Sequence, residues 1–164
     1  MYKWYSNKKV TIYFDTIPQV AIRYSLPSDT AELKKSIKKY PFINKRNLKV
    51  LLEDNKKKKV YFFEIPKGYC YDGASIPKIF WRVIRSNTDT SFLIPALIHD
   101  VICQNHSYIE NDRKFSSEVF SALLEASGVF PFKRYLMKNA VDIHQHFCHW
   151  GVNMGVKDTK APGR

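Results

Sequence analysis

The spacing of apolar residues changes near Ser75, and this change restricts the fold of the chain more than any other feature. Before Ser75, short runs of β-branched and aromatic residues alternate with turn-forming residues, which is typical of strands. After Ser75, apolar residues recur at steps of three and four, which is typical of the buried faces of helices. Strands followed by helices predict an α+β fold, and not the alternation of strands and helices found in a parallel sheet.

The first half of the chain contains the predicted strands. Residues 48–52 and 60–65 are apolar runs on either side of the charged, turn-forming stretch 53–56, so they predict a β-hairpin. Two further runs, 9–14 and 20–24, are rich in β-branched and aromatic residues and predict two more strands. We therefore expect N-terminal antiparallel strands together with a hairpin.

A short helix is predicted between these strand regions. Asp29 and Glu32 have the spacing of a capping box, in which the first residue caps the start of a helix. Leu33 and Ile37 follow at helical spacing, and Pro41 stops the run.

The second half is expected to form a C-terminal helical bundle. Gly128 and Pro131 separate its last two helices, because glycine favours helix ends and proline favours first turns. The apolar positions at helical spacing are Ile76, Ile79, Phe80 and Val83; Phe92, Ala96, Leu97 and Val101; Phe115, Val119, Leu123 and Leu124; and Leu136, Ala140, Ile143 and Phe147.

Length and composition set the expected domain organisation. A chain of 164 residues with 45% hydrophobic residues can bury one core of ordinary size. We therefore expect a single α+β domain over residues 1–150. Residues 151–164 carry Gly, Lys and Pro and little apolar surface, so they predict a polar tail that is ordered only by a partner.

Positive charge is concentrated in the first half. The formal net charge is +12, and residues 1–68 hold 16 Lys and Arg against 6 Asp and Glu, a surplus of 10. Such a surface attracts polyanions without sequence specificity, and its scarcity of arginine favours a diffuse contact over specific nucleic-acid recognition. The candidate partner-binding residues are Lys56, Lys57, Lys58 and Lys59 at the hairpin tip. The alternative is a solvated hairpin end.

The lengths of the apolar runs and the positions of the cysteines indicate the cellular compartment in which the protein is expected. No apolar run reaches the roughly 18 residues that span a bilayer, and the first residues lack the basic-then-apolar order of a signal peptide. Cys70, Cys103 and Cys148 are scattered among apolar or aromatic residues, which favours buried reduced thiols over a disulfide framework. We expect a protein made in a cytoplasm, without a transmembrane segment and not secreted through a signal peptide.

Two polar groups interrupt this apolar sequence. Asp72 and Ser75 follow a glycine turn, and His99 and Asp100 lie in an apolar, helix-like run. Buried carboxylates and imidazoles need partners, so we predict that these four side chains satisfy one another. The cluster is either an active site or a polar latch inside the core.

Each of the two interpretations assigns roles to the same residues. In an active site, His99 would act as general base on a water, Asp72 would hold the imidazole or a cation, and Asp100 would bind a metal or orient the base. Ser75 would be a nucleophile or ligand, although it is also well placed to cap the helix that Ile76 and Pro77 open. In a latch, His99 and Asp100 only bond the Asp72 loop to the helix.

A metal site is a further alternative. His99 and Asp100 could hold a divalent metal in the hydrolase interpretation. His99 and Cys103 are four residues apart, as are His144 and Cys148, so a Cys₂His₂ zinc site is also compatible with the spacing. Against it, His144 fits equally well on the edge of the final helix.

Several segments, taken in order, carry a family resemblance. They are Val60–Ile65, Pro66–Tyr69, Asp72–Pro77, Leu97–Asp100, and Phe120–Leu124 leading to Gly128 and Val129. Together they resemble a phage and prophage family that is recorded as a domain of unknown function, over roughly residues 48–147. Members usually place an acid three residues before the position of Phe120. This chain has Ser117 there, with Asp112 upstream as a substitute.

The resemblance implies viral origin and supplies no reaction. We expect a virion or assembly component, located in the virion or the bacterial host cytoplasm, that contacts other phage proteins and, non-specifically, nucleic acid. The alternative is a small metal-assisted hydrolase that uses Asp72, Ser75, His99 and Asp100.

Overall fold

The N-terminal strands form two antiparallel sheets in the computed structural model, which describes residues 1–72 and 90–146. The strands are β1 (Tyr2–Ser6), β2 (Val10–Phe14), β3 (Val20–Ile22), β4 (Phe42–Asn44), β5 (Leu48–Asp54), β6 (Lys59–Ile65) and β7 (Cys70–Tyr71). One sheet has the order β1-β2-β5-β6, and the other has the order β3-β4-β7. Every strand pair is antiparallel, as predicted for this half of the chain.

The predicted hairpin is confirmed as β5 and β6. Burial alternates along both strands, with Val50 and Leu52 of β5 facing the core beside Phe63 and Tyr61 of β6. The side chain of Asp54 closes the turn, because its Oδ1 accepts hydrogen bonds from the backbone N–H groups of the next lysines at 2.9 and 3.0 Å. The alternation therefore fixes which face of the hairpin is buried.

The other predicted strands are confirmed as β2 and β3, whereas β1, β4 and β7 were not predicted. Helix α1 (Ala31–Lys39) is also confirmed, but its cap differs. The Thr30 side chain accepts the Leu33 N–H at 3.2 Å. Asp29 instead accepts the N–H of Leu26 at 2.7 Å in the preceding turn, so the prediction that Asp29 caps the helix was wrong.

Three longer helices form the C-terminal part of the described chain. They are α2 (Leu93–Gln104), α3 (Arg113–Ala126) and α4 (Pro131–His144), with a 3₁₀ turn (His106–Ile109) between the first two. Gly128 has a φ of +76° between α3 and α4, and Pro131 is the first residue of α4, as predicted. Helix α3 packs against both α2 and α4 and contacts β1 and β2. The α+β fold is therefore confirmed.

One hydrophobic core joins the four-stranded sheet to the helices. The rings of Tyr61 and Phe115 lie 5.3 Å apart, and those of Phe63 and Tyr108 stack at 4.9 Å. The inner face of the hairpin is thus covered by α3 and the 3₁₀ turn. The predicted helix at Ile76–Val83 and the predicted tail at 151–164 lie outside the described residues.

The length and the composition of a helix decide whether it could span a membrane. Within residues 1–72 and 90–146, the helices are too short or too polar to cross a bilayer.

Candidate polar site around helix α2

Helix α2 carries two adjacent polar side chains in an otherwise apolar sequence. His99 is 5% exposed, and Asp100 is also buried. Neighbouring residues of an α-helix point about 100° apart, so the two side chains face different parts of the molecule. The structure accordingly contains two polar groupings around α2, one on each side.

The first grouping surrounds His99 between the three long helices. The Gln145 amide Nε2 lies 2.7 Å from His99 Nε2. The Phe120 ring lies 5.0 Å from the imidazole, and Cys103 Sγ lies 3.5 Å from Nε2. With Ser116, these residues form what we call the His99 cluster.

Gln145 connects the helices within this cluster. It lies in the wide turn directly after α4 and is almost completely buried. Its Nε2 also lies 3.1 Å from Cys103 Sγ and 3.3 Å from Ser116 Oγ. On the other side of the amide, Oε1 lies 3.4 Å from the Ser117 hydroxyl of α3. One amide from the end of α4 thus bonds to both α2 and α3.

The contact with Gln145 determines what the His99 ring can do. When the Gln145 N–H donates to Nε2, the imidazole carries its proton on Nδ1, and its basic lone pair is already used. The nearest Asp100 oxygen, Oδ1, is 3.8 Å from Nδ1, which is beyond hydrogen-bonding distance. A general base or a metal ligand needs a lone pair that reaches its target, and here that lone pair is held by the protein.

The second grouping lies on the Asp100 side of α2, against β7. Tyr71 is fully buried, and its hydroxyl donates to the Leu93 carbonyl oxygen at 2.9 Å. Burial raises the pKa of Tyr71, and the negative charge of Asp100 raises it further. Burial also raises the pKa of Tyr69, followed by the charges of Asp100 and Asp72. We call Tyr69, Tyr71, Asp72 and Asp100 the tyrosine–aspartate face.

Tyr69 is the unusual member of this face. It is buried, yet its hydroxyl has no hydrogen-bond partner in the part of the chain that the structure describes. Its ring stacks on Tyr71, with centroids 6.4 Å apart. Asp72 follows β7 directly and is exposed. This face therefore combines a buried phenol with one buried and one exposed carboxylate.

The four predicted site residues are placed as follows. The charges of Asp100 and Asp72 both raise the pKa of Tyr69, and the predicted contact of the Asp72 segment with α2 stays a prediction. His99 faces the other way and takes Gln145 as its closest partner. Ser75 lies outside the described residues, so its predicted part in the cluster stays a prediction.

The metal-site residues are only partly described. His99 and Cys103 are neighbours on one face of α2, as their spacing predicted. Cys148 and the side chain of His144 lie outside the description. Among the described residues, no three His, Cys, Asp or Glu side chains come together as a group that could hold a metal ion. The zinc site therefore stays a prediction that depends on His144 and Cys148.

The acid at the start of α3 has a structural task. Asp112 caps the helix by accepting the Phe115 N–H at 3.0 Å, and it also pairs with Lys57. Although burial alone would raise the pKa of Asp112, its bonds to Lys57 and Phe115 hold that pKa below the usual value. That Asp112 substitutes for the acid which the family resemblance places at Ser117 stays a prediction. Ser117 lies beside the His99 cluster.

The lysines at the hairpin tip divide into two pairs. Lys57 contacts Asp112, and Lys59 contacts Glu110, so these two amines bind acids of their own chain. Lys56 and Lys58 are exposed. The prediction of a partner-binding lysine run therefore rests chiefly on Lys56 and Lys58.

Comparison with known proteins gives a family and no activity. Residues 48–141 match the family described as "Protein of unknown function (DUF1353)", a span that runs from β5 into α4 and includes both polar groupings except Gln145. A relative, "Uncharacterized protein y4jT" of Sinorhizobium fredii (strain NBRC 101917 / NGR234), is 34% identical over 77 residues. That alignment covers 47% of this chain and 22% of the relative, so the chain corresponds to about a fifth of the relative's length. No solved structure matches the chain. Because the matched span is more than half of its 164 residues, the chain belongs to the DUF1353 family.

Proposed function

We propose that this protein is a non-catalytic component of a bacteriophage or prophage virion, or of its assembly. The observation that supports a non-catalytic role is the burial of His99 together with the contact between its ring nitrogen and Gln145. Its ring is buried, and its Nε2 lies 2.7 Å from the Gln145 amide. The phage assignment is supported by the ordered segments that resemble a phage and prophage family.

The His99 cluster acts as a latch in this proposal. Gln145 and His99 join the end of α4 to α2, and Ser116 adds a contact from α3. Buried polar groups that are mutually bonded fix the relative positions of the elements carrying them. An active site would instead hold the histidine where substrate or water could reach a free ring nitrogen.

The proposed partners are other phage proteins and, non-specifically, nucleic acid. Support comes from the net charge of +12 and from the exposure of Lys56 and Lys58 beyond the paired Lys57 and Lys59. Reversal of the exposed pair, Lys56→Glu with Lys58→Glu, should weaken retention on a heparin column. The matched change at Lys57 and Lys59 removes charges that are already paired and should weaken it less.

A second candidate function, a small metal-assisted hydrolase, is favoured by one observation. The charges of an exposed carboxylate, Asp72, and a buried one, Asp100, both raise the pKa of Tyr69, whose hydroxyl has no hydrogen bond among the described residues. Two carboxylates in unlike surroundings can divide the roles of acid and base between them, as they do in glycosidases. In this alternative the catalytic groups are Asp72 and Asp100, with Ser75 and His99 as the further predicted members.

A comparison of variants separates the two functions. Purified full-length chain would be measured for thermal unfolding, for bound metal, and for turnover of ester and phosphodiester substrates with Mg²⁺, Mn²⁺ or Zn²⁺. In the latch proposal, His99→Ala and Gln145→Ala both lower the unfolding temperature, and no protein gives turnover above a blank. Metal-dependent turnover that Asp72→Asn abolishes without a change in unfolding temperature would establish the hydrolase instead.

Mass spectrometry of purified particles tests the phage role. Particles produced by a host that encodes the protein should contain it, or their assembly should stop when its gene is removed. If the protein is absent from particles and assembly proceeds normally without it, the proposal is wrong.

A further inference from the structure

Helix α1 carries a group of lysines that face solvent. Positions 34–39 hold four lysines and no acid, and all four lysines are exposed. At 100° per residue they spread over about 140° of the helix circumference, and the buried Ile37 lies on another side of the helix. They form one basic surface, which we call the lysine stripe: Lys34, Lys35, Lys38 and Lys39.

The charges of the lysine stripe are not paired, in contrast to two lysines of the hairpin tip. Lys57 and Lys59 bind acids of their own chain. Within residues 1–72 and 90–146, no amine of the stripe forms an ion pair with an acid. Lys34 Nζ donates to the Pro27 carbonyl oxygen at 2.9 Å, a bond that leaves its charge uncompensated. The stripe therefore offers four positive charges to an anionic partner.

An exposed tyrosine lies next to the C-terminal end of the stripe. The pairing of β3 with β4 continues beyond both strands, because the Arg23 N–H donates to the Pro41 carbonyl oxygen at 2.7 Å and the Arg23 guanidinium donates to the Tyr40 carbonyl oxygen at 3.0 Å. Tyr24 follows directly and is 73% exposed. Lys39 Nζ lies 5.2 Å from the centre of the Tyr40 ring. The end of α1 therefore combines exposed amines with an exposed aromatic ring.

Unpaired amines beside an exposed ring favour a single-stranded nucleic acid as the partner. Proteins that bind single strands without sequence preference use a basic surface for the phosphates and aromatic rings for stacking on bases. A protein partner matches the stripe less well, because lysine is depleted at the centres of protein interfaces. A helix that binds a membrane surface turns its apolar side toward lipid, whereas Ile37 of α1 is buried within the protein.

We propose that the lysine stripe and Tyr24 form a binding site for single-stranded nucleic acid of any sequence. The amines of the stripe bind phosphates of the strand, and the Tyr24 ring stacks on a base near the C-terminal end of α1. This inference rests on the nucleic-acid contact in the proposed function, and it assigns to α1 a part of that contact which the exposed lysines of the hairpin tip do not provide.

Fluorescence anisotropy of a labelled oligothymidylate, titrated with the full-length chain at several NaCl concentrations, tests the site. Binding should weaken as salt rises, because amines that bind phosphates release counterions. Lys35→Gln with Lys38→Gln should reduce the slope of log K against log salt concentration by about 1.4. Tyr24→Ala should raise the Kd by at least about fivefold and leave the slope unchanged, since stacking involves no charge.

Matched variants control for net charge and for folding. Lys57→Gln with Lys59→Gln removes the same number of positive charges, but these are already paired with acids, so the slope should change less. Tyr24→Phe keeps an aromatic ring and should bind as tightly as the unmodified chain. Because Lys35, Lys38 and Tyr24 are exposed, thermal unfolding of their variants should match that of the unmodified chain.

Three results would overturn the proposal. The first is a chain that binds no oligothymidylate at low salt, whether or not it binds phosphatidylserine vesicles through the exposed Ile22 and Leu26 on either side of Tyr24. That result would also remove nucleic acid from the proposed partners. The second is binding that neither the stripe variant nor Tyr24→Ala weakens, which would place the nucleic-acid contact elsewhere on the chain. The third is tighter binding to a duplex of the same length that Tyr24→Ala leaves unchanged.

Discussion

The His99 cluster and the ion pairs at the edge of the sheet both tie distant parts of the chain together, but they do so in opposite surroundings. The cluster is buried between helices and uses neutral hydrogen bonds. The edge pairs, Lys57 with Asp112 and Lys59 with Glu110, use full charges on side chains that water reaches. A broken bond in the cluster leaves a buried polar atom unsatisfied, whereas a broken edge pair is replaced by water. Loss of a contact in the His99 cluster should therefore lower stability much more than loss of an edge pair.

The largest expected effect comes from breaking the cluster on one side only. Gln145→Leu leaves the buried His99 and Ser116 without their amide partner, so the free energy of unfolding should fall by about 1–3 kcal/mol. Urea unfolding of the variant and the parent would measure the change.

The double variant sharpens this test. His99→Leu with Gln145→Leu replaces both partners by apolar groups, and it should recover part of the loss caused by Gln145→Leu alone. Simple addition of the two single losses would show that the two side chains are not coupled.

Tyr69 and Tyr71 allow the effect of burying a tyrosine to be separated from the effect of hydrogen bonding its hydroxyl. Both are buried, but only the Tyr71 hydroxyl donates to a described group, the Leu93 carbonyl at 2.9 Å. Tyr71→Phe should therefore lower the free energy of unfolding by about 1 kcal/mol. Tyr69→Phe should change it by less than about 0.5 kcal/mol. Equal losses in chemical denaturation would mean that the Tyr69 hydroxyl is bonded after all.

Glu118 is partly buried, so its ion pairs are intermediate between the buried His99 cluster and the exposed edge pairs, and they should make the stability of the fold depend on pH. Burial alone would raise the pKa of Glu118, but hydrogen bonds from Lys138 and Lys9 outweigh it and hold the pKa below the ordinary value of 4.5. A carboxyl whose folded-state pKa is lowered stabilises the fold fully above its unfolded pKa and loses that contribution as pH falls through its folded pKa. Stability should thus decline on acidification below about pH 5.

The matching variant removes part of this decline. Glu118→Gln should lower the free energy of unfolding at neutral pH by no more than about 1 kcal/mol, because the pair is partly solvated. Its unfolding free energy should change less than that of the parent between neutral and acidic pH. A variant with the same acid dependence as the parent would contradict the assignment to Glu118.

The smallest effect is expected at the hairpin tip. Lys57→Met with Lys59→Met removes both edge pairs, and its unfolding temperature should differ little from that of the parent. Because exposed pairs are screened, the remaining difference should vanish at high salt. A difference as large as that of Gln145→Leu would remove the distinction between the two regions.

Local patterns made much of the fold predictable. The alternation of Leu48, Val50 and Leu52 determines a buried strand face whatever else the chain does, and the charged stretch after it can only be a turn. Strands β4 and β7 have three and two residues, which is too short for any alternation to show. The aromatic residues of β1 could have indicated a strand, and this signal was missed.

The polar site was predictable only in part, because its contacts join residues far apart in sequence. The divergence of His99 and Asp100 follows from helix geometry, and it explains why the structure has two polar groupings. The partner of His99 could not be predicted in this way, because Gln145 lies 46 residues away in a turn that no local sequence pattern indicates. Tyr69 was likewise missed, because its burial comes from a core that it shares with residues far away in the sequence.

Four consecutive lysines at an exposed turn would ordinarily invite cleavage by trypsin. In this turn, however, the Asp54 carboxylate holds the N–H groups of Lys56 and Lys57, and the Lys58 N–H bonds to the Asp54 carbonyl at 2.8 Å. A protease must draw its substrate into an extended strand, so it can cut here only after β5 and β6 separate. The rate of tryptic cleavage at this turn therefore reports how often the native hairpin opens.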